Sequence, residues 1–142
     1  MDPRSDINLC NCFASRQAAR YLTRHYESHL ASVALTSTQF TILVLLNEQP
    51  GIGMRDLAEA IVMDRTSLVR ALKPLQRDGL VQTGPGRTDA RQNTLSLTPA
   101  GLERLSLASP LWQQAQREFE QAFGPERAEM VRDLLFQIGR HG

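Results

Sequence analysis

The chain has 142 residues, of which 42% are hydrophobic and 22% charged, and its formal net charge is +1. This length fits one domain, or a small domain with helical extensions, and it allows a sizeable core. No apolar run is long enough to cross a membrane, and the opening MDPRSDINLCNC lacks the basic and then apolar plan of a signal peptide. We therefore expect a cytoplasmic protein without a membrane partner.

The first third of the chain reads as two helices. Apolar residues at helical spacing predict a first helix over about residues 7–33. TSTQ at 36–39 is a capping box, in which Thr36 is the N-cap and Gln39 reaches back to it. It predicts the start of a second, apolar helix, which Pro50 and Gly51 end.

Two shorter helices are predicted next. MRDLAEAIV at 54–62 indicates the first, and Asp64 is the expected N-cap of the second, with Ser67 at its third position. Pro74 removes a hydrogen bond inside this second helix and predicts a kink, and Gly79 suits the left-handed residue that ends it. The stripe expected to be buried comprises Leu68, Val69, Leu72 and Leu75.

Two short strands and two helices complete the predicted order. LVQTG at 80–84 and NTLSLT at 93–98 predict a hairpin. Thr98 and Pro99 begin a helix that runs to about Phe123, with a bend near Pro110. After a Gly-Pro pair, a last helix is expected to bury Val131, Leu134, Leu135 and Ile138. The predicted fold class is mainly α with a small β-hairpin wing.

Basic residues are concentrated in the middle of the chain. Residues 65–91 hold six Arg and Lys against two Asp, whereas residues 102–138 hold four Arg against six acidic residues. This local excess indicates an anionic partner. Two short helices joined by a tight turn are typical of a helix-turn-helix, whose second helix enters the major groove of double-stranded DNA. The residues expected to face DNA from that helix are Arg65, Thr66, Ser67, Arg70 and Lys73.

The hairpin after this helix is the expected wing. Its tip carries Arg87 and Arg91 beside Gly84 and Gly86, which suits a narrow, electronegative minor groove. A solvated, charged helix face would explain the helix alone, but a basic wing in the next segment favours DNA binding. The alternative is a winged helix that contacts proteins, although such modules tend to lose the basic face that this chain keeps.

The segments DRTSLVRALKPLQRDGLV and DARQNTLSLTPAG resemble the MarR-type winged-helix regulators. The second matches their wing signature, Asp-x-Arg and then Leu-Thr-x-x-Gly. The positions in those roles are Asp89, Arg91, Leu97, Thr98 and Gly101. The resemblance implies that Arg91 enters the minor groove and that Asp89 orients a neighbouring arginine.

The same resemblance extends over residues 9–138 and implies a homodimer. The implied regions are an N-terminal dimerisation helix at 1–35, a winged helix-turn-helix at 36–98 and C-terminal dimerisation helices at 99–142. Two heads of such a dimer would read a pseudo-palindromic operator. We expect a transcriptional repressor, released either by a small-molecule effector or by cysteine oxidation.

The two cysteines are the candidates for release by oxidation. CFASRQAAR at 12–20 resembles the segment with the sensing thiol in organic-hydroperoxide-responsive members, so Cys12 is the candidate sensor, with Cys10 beside it. The two are too close in sequence to pair comfortably with each other. Alternatively both are structural helix residues buried at the dimer interface, since a free Cys packs as a small apolar residue.

The resemblance places a ligand pocket among the first, second and fifth helices, where the candidates are His25, His29, Phe40 and Trp112. His25 and His29 share a helix face. Cys12 and His25 would lie roughly 20 Å apart on one helix and cannot share a zinc ion within one chain, so we expect neither a metal nor a cofactor. A P-loop, a nucleophile elbow and a metal-binding helix motif are all lacking, which argues against an enzyme.

Overall fold

The computed structural model describes residues 6–86, 91 and 93–141. The helices are α1 Asn11–Leu30, α2 Ser37–Glu48, α3 Met54–Ile61, α4 Arg65–Arg77, α5 Pro99–Phe123 and α6 Pro125–Arg140. The strands are β1 Ile52–Gly53, β2 Val81–Pro85 and β3 Asn93–Leu97. The predicted fold class, mainly α with a β-hairpin wing, is confirmed.

The first predicted helix is divided into three parts. Short 3₁₀ turns at Ile7–Leu9 and Ala31–Val33 flank α1. The division at the amino-terminal side follows from Cys10, which has extended backbone angles and caps α1. At the other side, Ala34 has a φ of 55°, in the left-handed region, which ends the helical turn.

Side-chain caps set the starts of two helices as predicted. At α2, Thr36 Oγ1 accepts from the Gln39 N–H at 3.1 Å, and the Thr36 N–H donates to Gln39 Oε1 at 3.0 Å. At α5, Thr98 Oγ1 accepts from the Gly101 N–H at 3.0 Å, with Pro99 at the first helical position. Both caps satisfy N–H groups that the first helical turn leaves without partners.

The strands form an antiparallel sheet in the order β1, β3, β2. Leu95 at its centre is paired with Thr83 on one side and Ile52 on the other, and its side chain is fully buried. Strand β1 was not predicted, since two residues are too few to show alternation. It joins the segment before α3 to the base of the wing.

The core fills the winged head and the first half of α5. Its fully buried side chains come from every layer of the head, so that the helices, the sheet and α5 form one packed unit. Those with 2% exposure or less are Leu30, Ile42, Leu43, Leu46, Leu57, Leu68, Leu72, Leu75, Leu95 and Ala108. Val69, also expected in the stripe on α4, is half-buried.

The end of α4 and the start of α5 lie in direct contact. Gly79 has a φ of 72° and ends α4 as predicted. The Thr98 N–H donates to the Leu80 carbonyl at 3.1 Å, and the Thr98 hydroxyl donates to the Gly79 carbonyl. Helices α4 and α5 are therefore joined by a hydrogen-bonded corner.

The prediction that α6 buries its apolar residues is wrong for the single chain. Leu134 is 51% exposed and Ile138 is 72% exposed. Together with apolar residues one turn away on the same side of this helix, they form what we call the α6 apolar face: Met130, Val131, Leu134, Leu135 and Ile138. The hydrophobic periodicity correctly predicted an apolar face on α6, but this face does not pack against the core of its own chain. An exposed apolar surface of this kind marks a contact with another molecule.

Within the described ranges, no single helix combines the length and apolar character needed to cross a bilayer. One bent pair, Asn11–Val33 with Ser37–Glu48, meets those criteria by length and composition only.

Candidate nucleic-acid interface

Helix α4 has one buried face and one exposed, basic face. Leu68, Leu72 and Leu75 anchor it in the core with 2% exposure or less. Because helical positions three and four apart share a face, the polar residues between these leucines point outward. The five residues predicted to face DNA, Arg65, Thr66, Ser67, Arg70 and Lys73, are all exposed.

The cap of α4 gives Ser67 a second role. The Ser67 N–H donates to Asp64 Oδ2 at 3.0 Å, and the Ser67 hydroxyl donates to Asp64 Oδ1 at 2.6 Å. These two bonds, first that from the hydroxyl and then that from the backbone, lower the pKa of Asp64 below its usual value. While the cap holds, the Ser67 hydroxyl can accept a hydrogen bond from a base but cannot donate one to a phosphate.

Arg65 and Arg91 lie in the same surface depression. This concave region of about 600 Å³ is bounded by the start of α3, the start of α4 and the base of the wing. Arg91 is exposed, like Arg65, although 25 residues separate the two in sequence. The fold therefore brings the helix and wing arginines to one side of the head, as a winged helix that grips adjacent grooves requires.

The depression also contains a basic residue that the sequence did not indicate. Arg55, at the start of α3, lines it and forms an exposed ion pair of 3.4 Å with Glu59. Asp56 lines it as well, so the surface carries both signs of charge. The signal for Arg55 was weak, because a lone arginine at the start of a helix is common on ordinary surfaces.

Hairpin strands β2 and β3 support the wing. Val81 pairs with Leu97 and Pro85 with Asn93, so the register holds over all five positions. The tip residues Arg87 and Asp89 lie outside the described residues, and their predicted roles remain predictions.

The two cysteines have different surroundings. Cys10 is half-buried, and its Sγ accepts a hydrogen bond from the Phe13 N–H at 3.4 Å, which makes it the N-cap of α1. Cys12, within the first turn, is exposed. The alternative that both are buried at the dimer interface stays a prediction, because these exposures are those of a single chain.

The four candidates for the ligand pocket fall into two groups. Phe40 on α2 stacks on Trp112 of α5 with ring centroids 5.9 Å apart, beside a cavity of about 440 Å³ that neither histidine lines. His25 and His29 instead face α5 one to two turns further along. His25 Nε2 lies 2.8 Å from the Ala115 carbonyl, and His29 Nε2 lies 2.8 Å from Glu118 Oε2.

A further cavity, between α1, α5 and α6, was not predicted. It measures about 360 Å³ and is mostly apolar, with Tyr26 and Glu120 among its lining residues. The Tyr26 hydroxyl donates to Gln116 Oε1, and the Gln116 amide donates to Glu120 at 2.8 Å. Burial, and then the Glu120 carboxylate, raise the pKa of Tyr26. This cavity borders the α6 apolar face.

Comparison with known proteins agrees with this arrangement. The family described as the MarR family matches residues 35–92. The HTH-type transcriptional regulator TtmR of Methylorubrum extorquens is 36% identical over 101 residues, which are 70% of this chain but only 51% of TtmR. The homoprotocatechuate degradative operon repressor of Escherichia coli is 33% identical over 101 residues, which are 71% of this chain and 68% of the repressor.

Among solved structures, the M. tuberculosis transcriptional regulator MosR in complex with DNA superposes with a TM-score of 0.81. Its sequence identity to the chain is 36%, and the match covers 93% of this chain and 95% of that one. The chain therefore belongs to the MarR family of transcriptional regulators.

Proposed function

We propose that the chain is a DNA-binding transcriptional repressor that acts as a homodimer. One observation carries this proposal: α4 holds its basic residues on the face opposite its buried leucines, and Arg65 shares a depression with Arg91 of the wing. Relatives named as regulators, and a relative solved with DNA, support the same function. A repressor works in the compartment that holds the DNA, in line with the cytoplasmic expectation.

Each exposed residue of the head has a distinct proposed role. Arg70 projects from the middle of α4 and can bind guanine with two hydrogen bonds, whereas Lys73 supplies a point charge to a phosphate. Arg65 and Thr66 contact the backbone or base edges at the start of the helix. Arg91 enters the minor groove. The roles of Arg87 and Asp89 in the wing are also proposals.

The dimer is proposed to form through the two ends of the chain. Residues 1–35 and 99–142 make up the dimerisation part, and residues 36–98 make up the winged head. The α6 apolar face supports this division, because it lies outside the core of the head and needs a partner. A twofold dimer doubles the phosphate contacts of one small head along one face of the duplex.

Fluorescence anisotropy on labelled DNA from upstream of the protein's own gene tests this function. We expect salt-dependent, sequence-specific binding, weakened by roughly 1–3 kcal/mol in Arg91→Ala and Arg70→Ala. Arg117→Ala, which removes an exposed arginine from α5, is the matched control and should bind like the wild type. Unchanged affinity in Arg91→Ala would refute the wing assignment. If a folded wild type bound no specific DNA at any salt concentration, a protein-contact module would replace the repressor.

We propose a small-molecule effector as one route of release. The cavity beside Phe40 and Trp112 lies between α2 of the head and α5, and its volume falls within the usual range for small ligands. Trp112 is the single tryptophan of the chain, so its fluorescence reports on this cavity. A compound that changes this fluorescence and releases DNA with the same midpoint would support the assignment. Release without any fluorescence change would place the effector elsewhere.

Cysteine oxidation is the other proposed route. The exposed Cys12 is accessible to a peroxide, and Cys10 is the N-cap of the same helix two residues before it. Peroxide should release DNA from the wild type but not from Cys12→Ser. If Cys10 also takes part, Cys10→Ser should stay bound to DNA as well. Release from the double variant would exclude the thiols as sensors.

A further inference from the structure

Helices α1 and α5 bring two histidines and a glutamate together, away from the DNA face. His25 and His29 stand one turn apart on α1, and Glu118 faces them from α5. Each of the three residues offers one ligand atom, and these three atoms all lie within 4.8 Å of one another. The histidines are half-buried, and the His29 side chain is only 16% exposed.

The two ring nitrogens of His29 face different partners. Nδ1 lies 3.0 Å from the His25 carbonyl and 3.3 Å from the Ser28 hydroxyl. Nε2 lies 2.8 Å from a Glu118 carboxylate oxygen. The imidazole nitrogen and the carboxylate oxygen that face each other here are both atoms that bind metals.

The surroundings of both rings are those of metal-ligating histidines. The contact of 2.8 Å between His25 Nε2 and the Ala115 carbonyl places the His25 proton on Nε2 and leaves the lone pair on Nδ1. In both rings one nitrogen lies beside a backbone carbonyl, and the other nitrogen is a potential ligand. Such outer bonds fix the orientation of histidines that bind metals.

We propose that His25, His29 and Glu118 bind a divalent transition-metal ion, for which Zn²⁺ is the best match. Two imidazoles and one carboxylate are a known zinc donor set, with a fourth position left for water or another ligand. Ligand bonds of about 2.0–2.1 Å in a tetrahedral site require the ligand atoms to stand about 3.3 Å apart. The Glu118 oxygen stands 2.8 Å from His29 Nε2, so it must move away by the difference between these two separations. Its side chain is 47% exposed and is free to do so.

This site was not predictable from the sequence. The sequence indicated the pair His25 and His29 but offered only the cysteines as further ligands, and these lie too far along the same helix. The third ligand comes instead from α5. A metal ion there would link α1 to α5, and the inference does not depend on DNA binding.

Isothermal titration of Zn²⁺ into the reduced full-length protein tests the proposal. The double variant Cys10→Ser, Cys12→Ser serves as a second starting protein, because thiolates also bind zinc. We expect one zinc ion per chain in both proteins. His25→Gln, His29→Gln and Glu118→Gln should each weaken binding at least about 10-fold. His141→Gln and Glu103→Gln change the same residue types at exposed positions outside the site and should leave the affinity unchanged.

Two readouts make the test independent of variant stability. Zinc at about 100 times its Kd should raise the Tm of the wild type by about 5–10 °C and leave that of Glu118→Gln unchanged. Co²⁺ should give the visible absorption of a tetrahedral site without a thiolate charge-transfer band. Absence of saturable zinc binding would overturn the site. Binding that needs the cysteines, or that survives any of the three ligand substitutions unchanged, would also overturn the site.

Discussion

Gly101 lies so close to Leu80 that a Cβ atom on residue 101 would sit 2.0 Å from the Leu80 carbonyl oxygen. That oxygen already accepts the Thr98 N–H, and the Thr98 side chain in turn caps the helix on which Gly101 stands. The contact explains physically why the Leu-Thr-x-x-Gly pattern ends in glycine. The threonine starts α5, and the glycine lets α5 pack against the end of α4.

We predict that Gly101→Ala destabilises the protein. The added methyl group would collide with backbone, which cannot rotate away as a side chain can, so the free energy of unfolding should fall by about 1–3 kcal/mol. Urea denaturation measures this difference. Gly139→Ala is the control, since its Cβ would meet nothing within 4 Å and alanine favours a helix. Equal stability of Gly101→Ala and the wild type would contradict the close contact.

The cap of α4 predicts a pH dependence. The Ser67 bonds hold the pKa of Asp64 below its usual 3.8, so the ionised carboxylate stabilises the fold above that value. The contribution is lost as the pH falls from about 3.8 through the lower pKa of the folded state. Asp64→Asn cannot titrate, and its deficit in urea midpoint relative to the wild type should be present at pH 7 and shrink below pH 3.8. A deficit that is constant with pH would contradict this role.

Substitutions of Lys73 and Arg70 should have different effects on the overall DNA affinity and on the preference for the operator. If Lys73 neutralises a phosphate, Lys73→Ala should weaken binding to operator and unrelated DNA alike. It should also reduce the slope of log K against log salt concentration by about 1 per head. Arg70→Ala should instead weaken the operator complex more than the unrelated one. Anisotropy titrations at several salt concentrations measure the affinities for both DNAs and the salt dependence. A loss confined to the operator in Lys73→Ala would reverse the two assignments.

The α6 apolar face predicts that one charge can dissociate the dimer. Leu134→Glu places a carboxylate in the middle of that face, and desolvating it in an interface is unfavourable. Sedimentation should show a monomer, or a dimer with a dissociation constant raised at least about 10-fold. Gln76→Glu introduces the same charge at an exposed position of α4, away from α6, and should leave the dimer intact. A dimer that tolerates Leu134→Glu would place the interface elsewhere.

Local chemistry made the helix starts predictable. The hydroxyls of Thr36 and Thr98 and the carboxylate of Asp64 each bond an N–H within three residues, so a short segment contains all the information. The basic face of α4 followed equally well, because its leucines lie at helical spacing. Strand β1 was missed, since its pairing partner Leu95 lies far along the chain.

Contacts between distant segments account for the other differences. Glu118 could not be assigned to His29, because nothing in the sequence shows which turn of α5 faces which turn of α1. Phe40 and Trp112 were grouped with the histidines on the basis of the family resemblance alone, and the packing separates them. The burial of Leu134 failed for a different reason: an apolar stripe shows that a face is covered, but not whether its own chain covers it.

Helix α5 connects the corner at Gly101 to the histidine pair of α1 without a break in its helical backbone. Its 25 residues span about 37 Å at the standard rise. The first half of α5 packs in the core of the head, and its second half contacts α1 at His25 and His29, so a single element of the fold makes both contacts.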